Sequence, residues 1–249
     1  MYRVMTSSFA CLILSIPLAL AEPPEGKGWV SLFNGSDLSA FDLRPEQKDM
    51  WTVVDGAIDC NPRADKKGDQ SIWTKTSYQD FELVLDWRIK ETKGKYNMPV
   101  VLPSGLHKKD ERGNDIIERR ANADSGIYLR GTSKAQVNMW CWPIGSGEVY
   151  GYRMDDSMSS EVRAGVTPSE HADNPIGEWN TFHITMKGDR LTVVLNGKTV
   201  LDKAQLPGLP PRGPLALQHH GGFDPVKNTW NSASSLVQFR NFYVRKLTN

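Results

Sequence analysis

Apolar and polar residues alternate through most of this chain, and few stretches show helical spacing. In FELVLDWRIK, Phe81, Leu83, Leu85, Trp87 and Ile89 fall on one side, while Glu82, Asp86, Arg88 and Lys90 fall mostly on the other. This is the period-two pattern of a half-buried strand. FHITM and LTVVL follow the same rule on either side of KGDR. Asn196-Gly197 then turns the chain into KTVLD, so residues 181–202 predict a meander of three short strands. SLVQFRNFYVRKL predicts a further strand with a bulge at Asn241. Many short strands separated by turn signals predict an all-β domain, a two-sheet antiparallel sandwich or jelly roll. Two stretches break the rhythm. Residues 93–122 mix Pro, Gly and dense charge over a length unusual for a connection in a compact domain. An ordered insertion beside a site, a flexible lid and a solvated loop all fit this segment. The second long connection runs from Gly221 to Ser235.

The alternation also sorts side chains by face. In SGIYLR, Ile127 and Leu129 share one face and Tyr128 and Arg130 the other. In QVNMWCW, Val137, Met139 and Cys141 oppose Gln136, Asn138, Trp140 and Trp142. The apolar sets predict core, so the mixed sets face outward on a sheet surface. Flat aromatics beside amide and guanidinium donors suit a sugar, whose C–H faces pack on rings while its hydroxyls need fixed partners. A small second core, with a loop laid over the tryptophans, accounts for the same pattern. PLALQHHGG extends the outward register with Ala216, Gln218 and His220, opposite Leu215, Leu217 and His219. Adjacent histidines on one strand point apart, so binding a single metal through both needs a turn, for which Gly221-Gly222 is placed. There is no GxSxG elbow, HExxH or paired CxxC spacing, and no phosphate-binding glycine loop in a strand–helix context.

Composition narrows the setting. The chain has 249 residues, 39% hydrophobic and 24% charged, which a single large β domain can accommodate. Its first 21 residues, MYRVMTSSFACLILSIPLALA, read as a secretory signal peptide: one Arg3, an apolar run from Phe9 to Leu20, and Ala19-Leu20-Ala21 before Glu22. That run is too short for a transmembrane span. The expectation is an exported protein, periplasmic or extracellular, with one jelly-roll domain over residues 22–249. Without Arg3 the remaining chain carries 29 basic against 29 acidic residues. A neutral chain with no basic tract argues against a nucleic-acid partner. Cys60 and Cys141 remain, as a disulfide or as two buried thiols.

Several motifs together point further. GWVSLFNGSDLSAFD at 28–42, WTVVDGAI at 51–58, YQDFELVLDWRI at 78–89, DSGIYLRG at 124–131, GEWNTFHITMKGDRLTVVLNGKTV at 177–200, GPLALQHHG at 213–221 and VQFRNFYVRKL at 237–247 follow one another in order. In that order they resemble the 3-keto-disaccharide hydrolase domain family. The resemblance implies a concanavalin A-like lectin/glucanase jelly roll whose concave face binds saccharide. It also implies action on glycosides oxidised to a ketone at C3. This chain departs from the family in three places. It carries Gln136 and Asn138 where many members have an acid two positions before a glutamine, His219 where many read LQDHG, and Asp124 where Asn is common.

A C3 ketone acidifies the C2 proton, so such a glycoside can be cleaved by loss of that proton and expulsion of the C1 oxygen, followed by addition of water. The site needs a base, a donor for the enediolate oxygen and an acid for the leaving group. The candidates are His220 as base or metal ligand, Glu148 in GSGEVYGYR as acid, and Arg130 with Gln136 and Asn138 on the ketone and hydroxyls. Tyr128, Trp140, Trp142 and Gln218 complete the expected substrate surface. Arg130 paired with Asp124 or Asp155, and Glu148 in solvent, are the plain alternatives. A divalent metal on His220 and carboxylates stays open, as does a non-catalytic, lectin-like module using the same face.

Overall fold

The computed structural model describes residues 23–248; the leader expected at residues 1–21 lies outside them. Where the sequence alternates, strands form, because one set of side chains can then be shielded while the other stays wet. Phe81–Ile89 alternates buried and half-buried residues along its whole length. It lies inside an antiparallel sheet whose path runs Lys198–Gln205, Arg190–Leu195, Asn180–Lys187, Phe81–Ile89, Val237–Lys246, Ala57–Cys60, Trp51–Val54, with Trp29–Ser31 also on Val237–Lys246. The expected meander supplies the first three of these strands, and its Asn196-Gly197 turn has positive φ at both residues. In the last strand, the register against Phe81–Ile89 shifts between Arg240 and Tyr243, and Asn241 sits at φ +51. The bulge expected at Asn241 is present.

A five-stranded antiparallel sheet runs Thr132–Trp140, Asp124–Leu129, Gly213–Leu217, Ile72–Tyr78, Phe41–Asp42. Leu83, Leu85, Phe182 and Ile184 from the larger sheet join Ile127, Leu129, Val137, Met139 and Leu217 from the smaller one in a single buried cluster. The chain is therefore a two-sheet antiparallel jelly-roll sandwich, with the outward face of the smaller sheet free of the core. Cys60 and Cys141 are separate thiols, and burial pushes both above the usual thiol range.

Two features add to this frame. Residues 93–122 are ordered as a β-ribbon: Lys95–Pro99 pairs with Ile117–Ala121, and bridges at Val101–His107 and Lys109–Asp115 continue it to the tip. Beyond Trp140 lies a cap of two short helices, Tyr150–Arg153 and Ser160–Gly165, the second capped by the Ser159 hydroxyl accepting from Val162 N. Among the described residues no helix is long and apolar enough to cross a membrane.

Candidate functional site

The hairpin of Asp124–Leu129 and Thr132–Trp140 fixes the site's geometry. Its register sets Trp140 opposite Asp124, Asn138 opposite Gly126 and Gln136 opposite Tyr128, so these side chains share the outward face. A cavity of about 360 Å³ opens there, lined by Asp124, Gln136, Asn138, Trp140, Trp142 and, from the chain after Gly213–Leu217, Gln218 and His220. Ser133, Tyr150 and Gly151 line it as well, the last two from the helical cap. Gly126 lets the amides lie close: a Cβ there would stand 2.6 Å from Gln136 Nε2. Gln136 Nε2 instead crosses it to donate to Ser125 O and to Gln218 Oε1 at 2.5 Å. Asn138 is 2% exposed, and its Nδ2 has no partner among the described residues.

Trp140 and Trp142 stack at 4.3 Å with planes 8° apart, and Tyr150 stands edge-on to both. Trp140 is 4% exposed and donates its indole N–H to Gly145 O, whereas Trp142 is half-buried. The sugar-surface and second-core expectations thus each describe part of the pair.

Opposite the tryptophans, His220 Nδ1 donates to Ala233 O at 2.6 Å, which leaves the Nε2 lone pair as the basic position of the ring. The backbone N–H of His220 donates to Ser235 Oγ, and that hydroxyl donates to Asp124 O at 2.6 Å. The carboxyl of Asp124 has a buried Oδ1 without a partner. Burial raises it from 3.8 to about 6, with the neighbouring His220 pulling weakly the other way. A carboxyl that burial raises to about 6 and an imidazole with its Nε2 left open therefore share one cavity.

A family model for the 3-keto-alpha-glucoside-1,2-lyase-like domain matches residues 28–245. The chain belongs to this family. The match makes the protein a member of a carbohydrate-active group. Three solved structures from Parabacteroides distasonis ATCC 8503, provisionally described as glycosyl hydrolases, share its fold. One is 21% identical with a TM-score of 0.55, covering 89% of this chain and 84% of its own. Another is 22% identical with a TM-score of 0.52 over 88% and 99%, and the third is 18% identical with 0.53 over 89% and 95%. No curated protein matches the chain.

Within this lyase-like domain, two residues expected at the site lie elsewhere. Arg130 is at φ +49 and Gly131 at +77, as a two-residue hairpin turn requires, so the strand's alternation stops at Leu129. The Arg130 side chain turns to the base of the sandwich and donates to Gln79 O, Gly188 O and Asp80 Oδ1. Its ion pair is with Asp80, while Asp155 pairs with Lys134. Glu148 is fully buried and bound to Arg153 Nε, and Arg153 Nη1 donates to Gly105 O at 3.1 Å. That pair ties the β-ribbon to the helical cap and does not line the cavity. Tyr128 shares the outward face but is 7% exposed, packed on Trp73 at 5.6 Å with its hydroxyl towards Gln218 and Ser71. It supports the cavity without lining it.

Asp124 is the residue sequence reasoning passed over as an acid. The signal was present: the register that puts Tyr128 outward puts Gly126 and Asp124 outward too. The two histidines part as expected. His219 Nε2 accepts from Arg63 N at 3.1 Å, and burial holds its ring down at about 4, neutral and structural. Among the described residues no group of three or more His, Cys, Asp or Glu converges where a metal ion could be held. The cavity offers His220 Nε2 and the Asp124 carboxylate, fewer ligands than a closed protein site uses.

Proposed function

We propose that the protein cleaves 3-keto-glycosides by elimination across C1 and C2. The observation that carries this reading is the pairing, in one cavity, of an anchored imidazole with a buried carboxyl titrating near 6. His220 Nε2 takes the C2 proton, and the electron pair moves towards the C3 carbonyl to give an enediolate. Asn138 Nδ2, the free donor on that face, stabilises the oxygen as charge develops. The pair then returns to form the C1–C2 double bond as the C1–O bond breaks, and protonated Asp124 supplies the proton to the departing oxygen. Proton transfer from imidazolium to the Asp124 carboxylate restores both groups. Addition of water to the unsaturated ketone is a separate step that completes net hydrolysis.

The stacked Trp142–Trp140 wall supports the sugar part of the reading, because ring C–H faces pack on indole. The test is release of glucose from 3-keto-trehalose, followed with the absorbance of the unsaturated ketone, with and without added divalent metal. Binding with no release under either condition refutes the elimination and leaves a lectin-like module. Export belongs to the same proposal and is supported by the leader-like residues 1–21. N-terminal sequencing of the secreted or periplasmic protein should begin at Glu22; a full-length cytoplasmic product counts against export.

A further inference from the structure

We propose that a second cavity, independent of the first, binds a neutral hydroxylated ring of its own. It measures about 340 Å³ and lies where the ends of Phe81–Ile89, Asn180–Lys187 and Thr132–Trp140 meet the loop of residues 171–176. Trp87 and Asn180 stand opposite each other in register, so both point to the core face of the larger sheet. The first cavity lies on the outward face of the smaller sheet, and the buried Trp140 indole is a wall between the two. Each cavity therefore takes a separate ligand, and binding at the second holds whether or not the protein carries out the elimination.

Polar groups on a core face are normally paired, and here two donors are left over. Trp87 is 1% exposed, and its indole N–H has no acceptor among the described residues. Asn180 is 3% exposed, and both of its side-chain hydrogen bonds end on Oδ1, which accepts from Asn174 N and from Asn196 Nδ2 at 2.7 Å each. Its Nδ2 hydrogens are left for the cavity that it lines. Unpaired buried donors are costly, and a core with no ligand is better served by Phe and an aliphatic residue. The complementary acceptor is Asp173 on the same wall, fixed by Ser146 N on Oδ2 and by Ser146 Oγ on Oδ1, with lone pairs to spare. A hydroxyl accepts from the first two residues and donates to the third. Pro175 and Ile176 supply an apolar wall for ring C–H groups. A ligand anion would meet Asp173, and a cation would meet Arg120, so the lining favours a neutral ring.

The test titrates glucose into the protein and follows the Trp87 indole N–H and the Asn180 side-chain amide by NMR. Both resonances should shift together and saturate. His220→Ala, which alters only the first cavity, should keep that affinity within about twofold. Trp87→Phe keeps an aromatic ring and removes the donor, so affinity read at Asn180 should fall about tenfold. Ile176→Ser changes an exposed rim residue, spares the core, and should weaken binding about threefold; it decides the matter if Trp87→Phe does not fold. Glucuronate, a similar ring carrying a carboxylate, should bind more weakly than glucose. Unmoved Trp87 and Asn180 signals, an affinity unchanged by the cavity substitution, or glucuronate bound as tightly as glucose each overturns the proposal. Loss of the shifts in His220→Ala also overturns it, by placing glucose in the first cavity.

Discussion

Two pairings of a carboxyl with a nitrogen base, Glu148–Arg153 and Asp124–His220, do opposite things in this fold. Glu148 and Arg153 face each other with side chains fully shielded, and Arg153 also reaches the β-ribbon at Gly105. Asp124 and His220 face a cavity, with the histidine anchored through Nδ1 and one carboxyl oxygen left unpartnered. In the first couple each charge is compensated by the other, which fixes structure. In the second the partner is an imidazole anchored through Nδ1, and burial keeps the proton on the carboxyl up to about pH 6. Glu148 also keeps a buried oxygen without a partner, so what separates the two carboxyls is the cavity that Asp124 lines and Glu148 does not.

This contrast is breakable by substitution. His220→Ala should lower kcat by about a thousandfold, within the range for losing a general base, while the melting temperature stays near the parent's; equal activity would remove His220 from the chemistry. Arg153→Met should do the reverse, costing about 3–5 kcal/mol by stranding Glu148, with kcat of the folded protein within about threefold. Urea denaturation beside steady-state kinetics reads both. A large kcat loss with unchanged stability would move the Glu148 couple into the site.

Asp124→Asn gives a pH-resolved version. The folded-state pKa is raised above 3.8, so stability from this position is complete at low pH and is lost as pH climbs through about 6. The variant should flatten that slope, melt higher than the parent at pH about 7.5, and still lose about a hundredfold in kcat. A lower melting temperature than the parent at that pH would contradict the uncompensated carboxyl. His219→Gln should give the smallest effect. Its ring pKa is lowered from 6.5 to about 4, so its contribution is present above 6.5 and lost as pH falls through 4. The variant should soften acid unfolding across that window, and leaving it unchanged would argue that His219 titrates normally.

Much of the frame was legible because alternation is a local property. Ile127, Leu129, Val137 and Met139 are all fully buried, and Gln136, Asn138, Trp142, Gln218 and His220 all reach the cavity. Arg130 escapes the alternation because a turn with positive φ ends the parity that would otherwise place it outward. Glu148 lies beyond the GSG turn, where its direction depends on a helical cap that shows no clear periodicity in six or fewer residues per helix. Asp124 obeyed the parity throughout; it was missed because a carboxyl's altered titration comes from long-range burial, which no local pattern records.

Ser235 carries one more consequence. Its hydroxyl links Asp124 O to the His220 backbone, and just after it the chain enters Val237–Lys246, which lies between Phe81–Ile89 and Ala57–Cys60. The acid and the base are thus stitched together by the segment that must also be threaded, last in chain order, into the middle of the larger sheet. Contacts of such long sequence separation form slowly, so folding should acquire the Asp124–His220 arrangement at its final step. Hydrogen exchange during refolding should show the His220 amide protected together with the Val237–Lys246 strand, and not with the earlier meander of Asn180–Gln205.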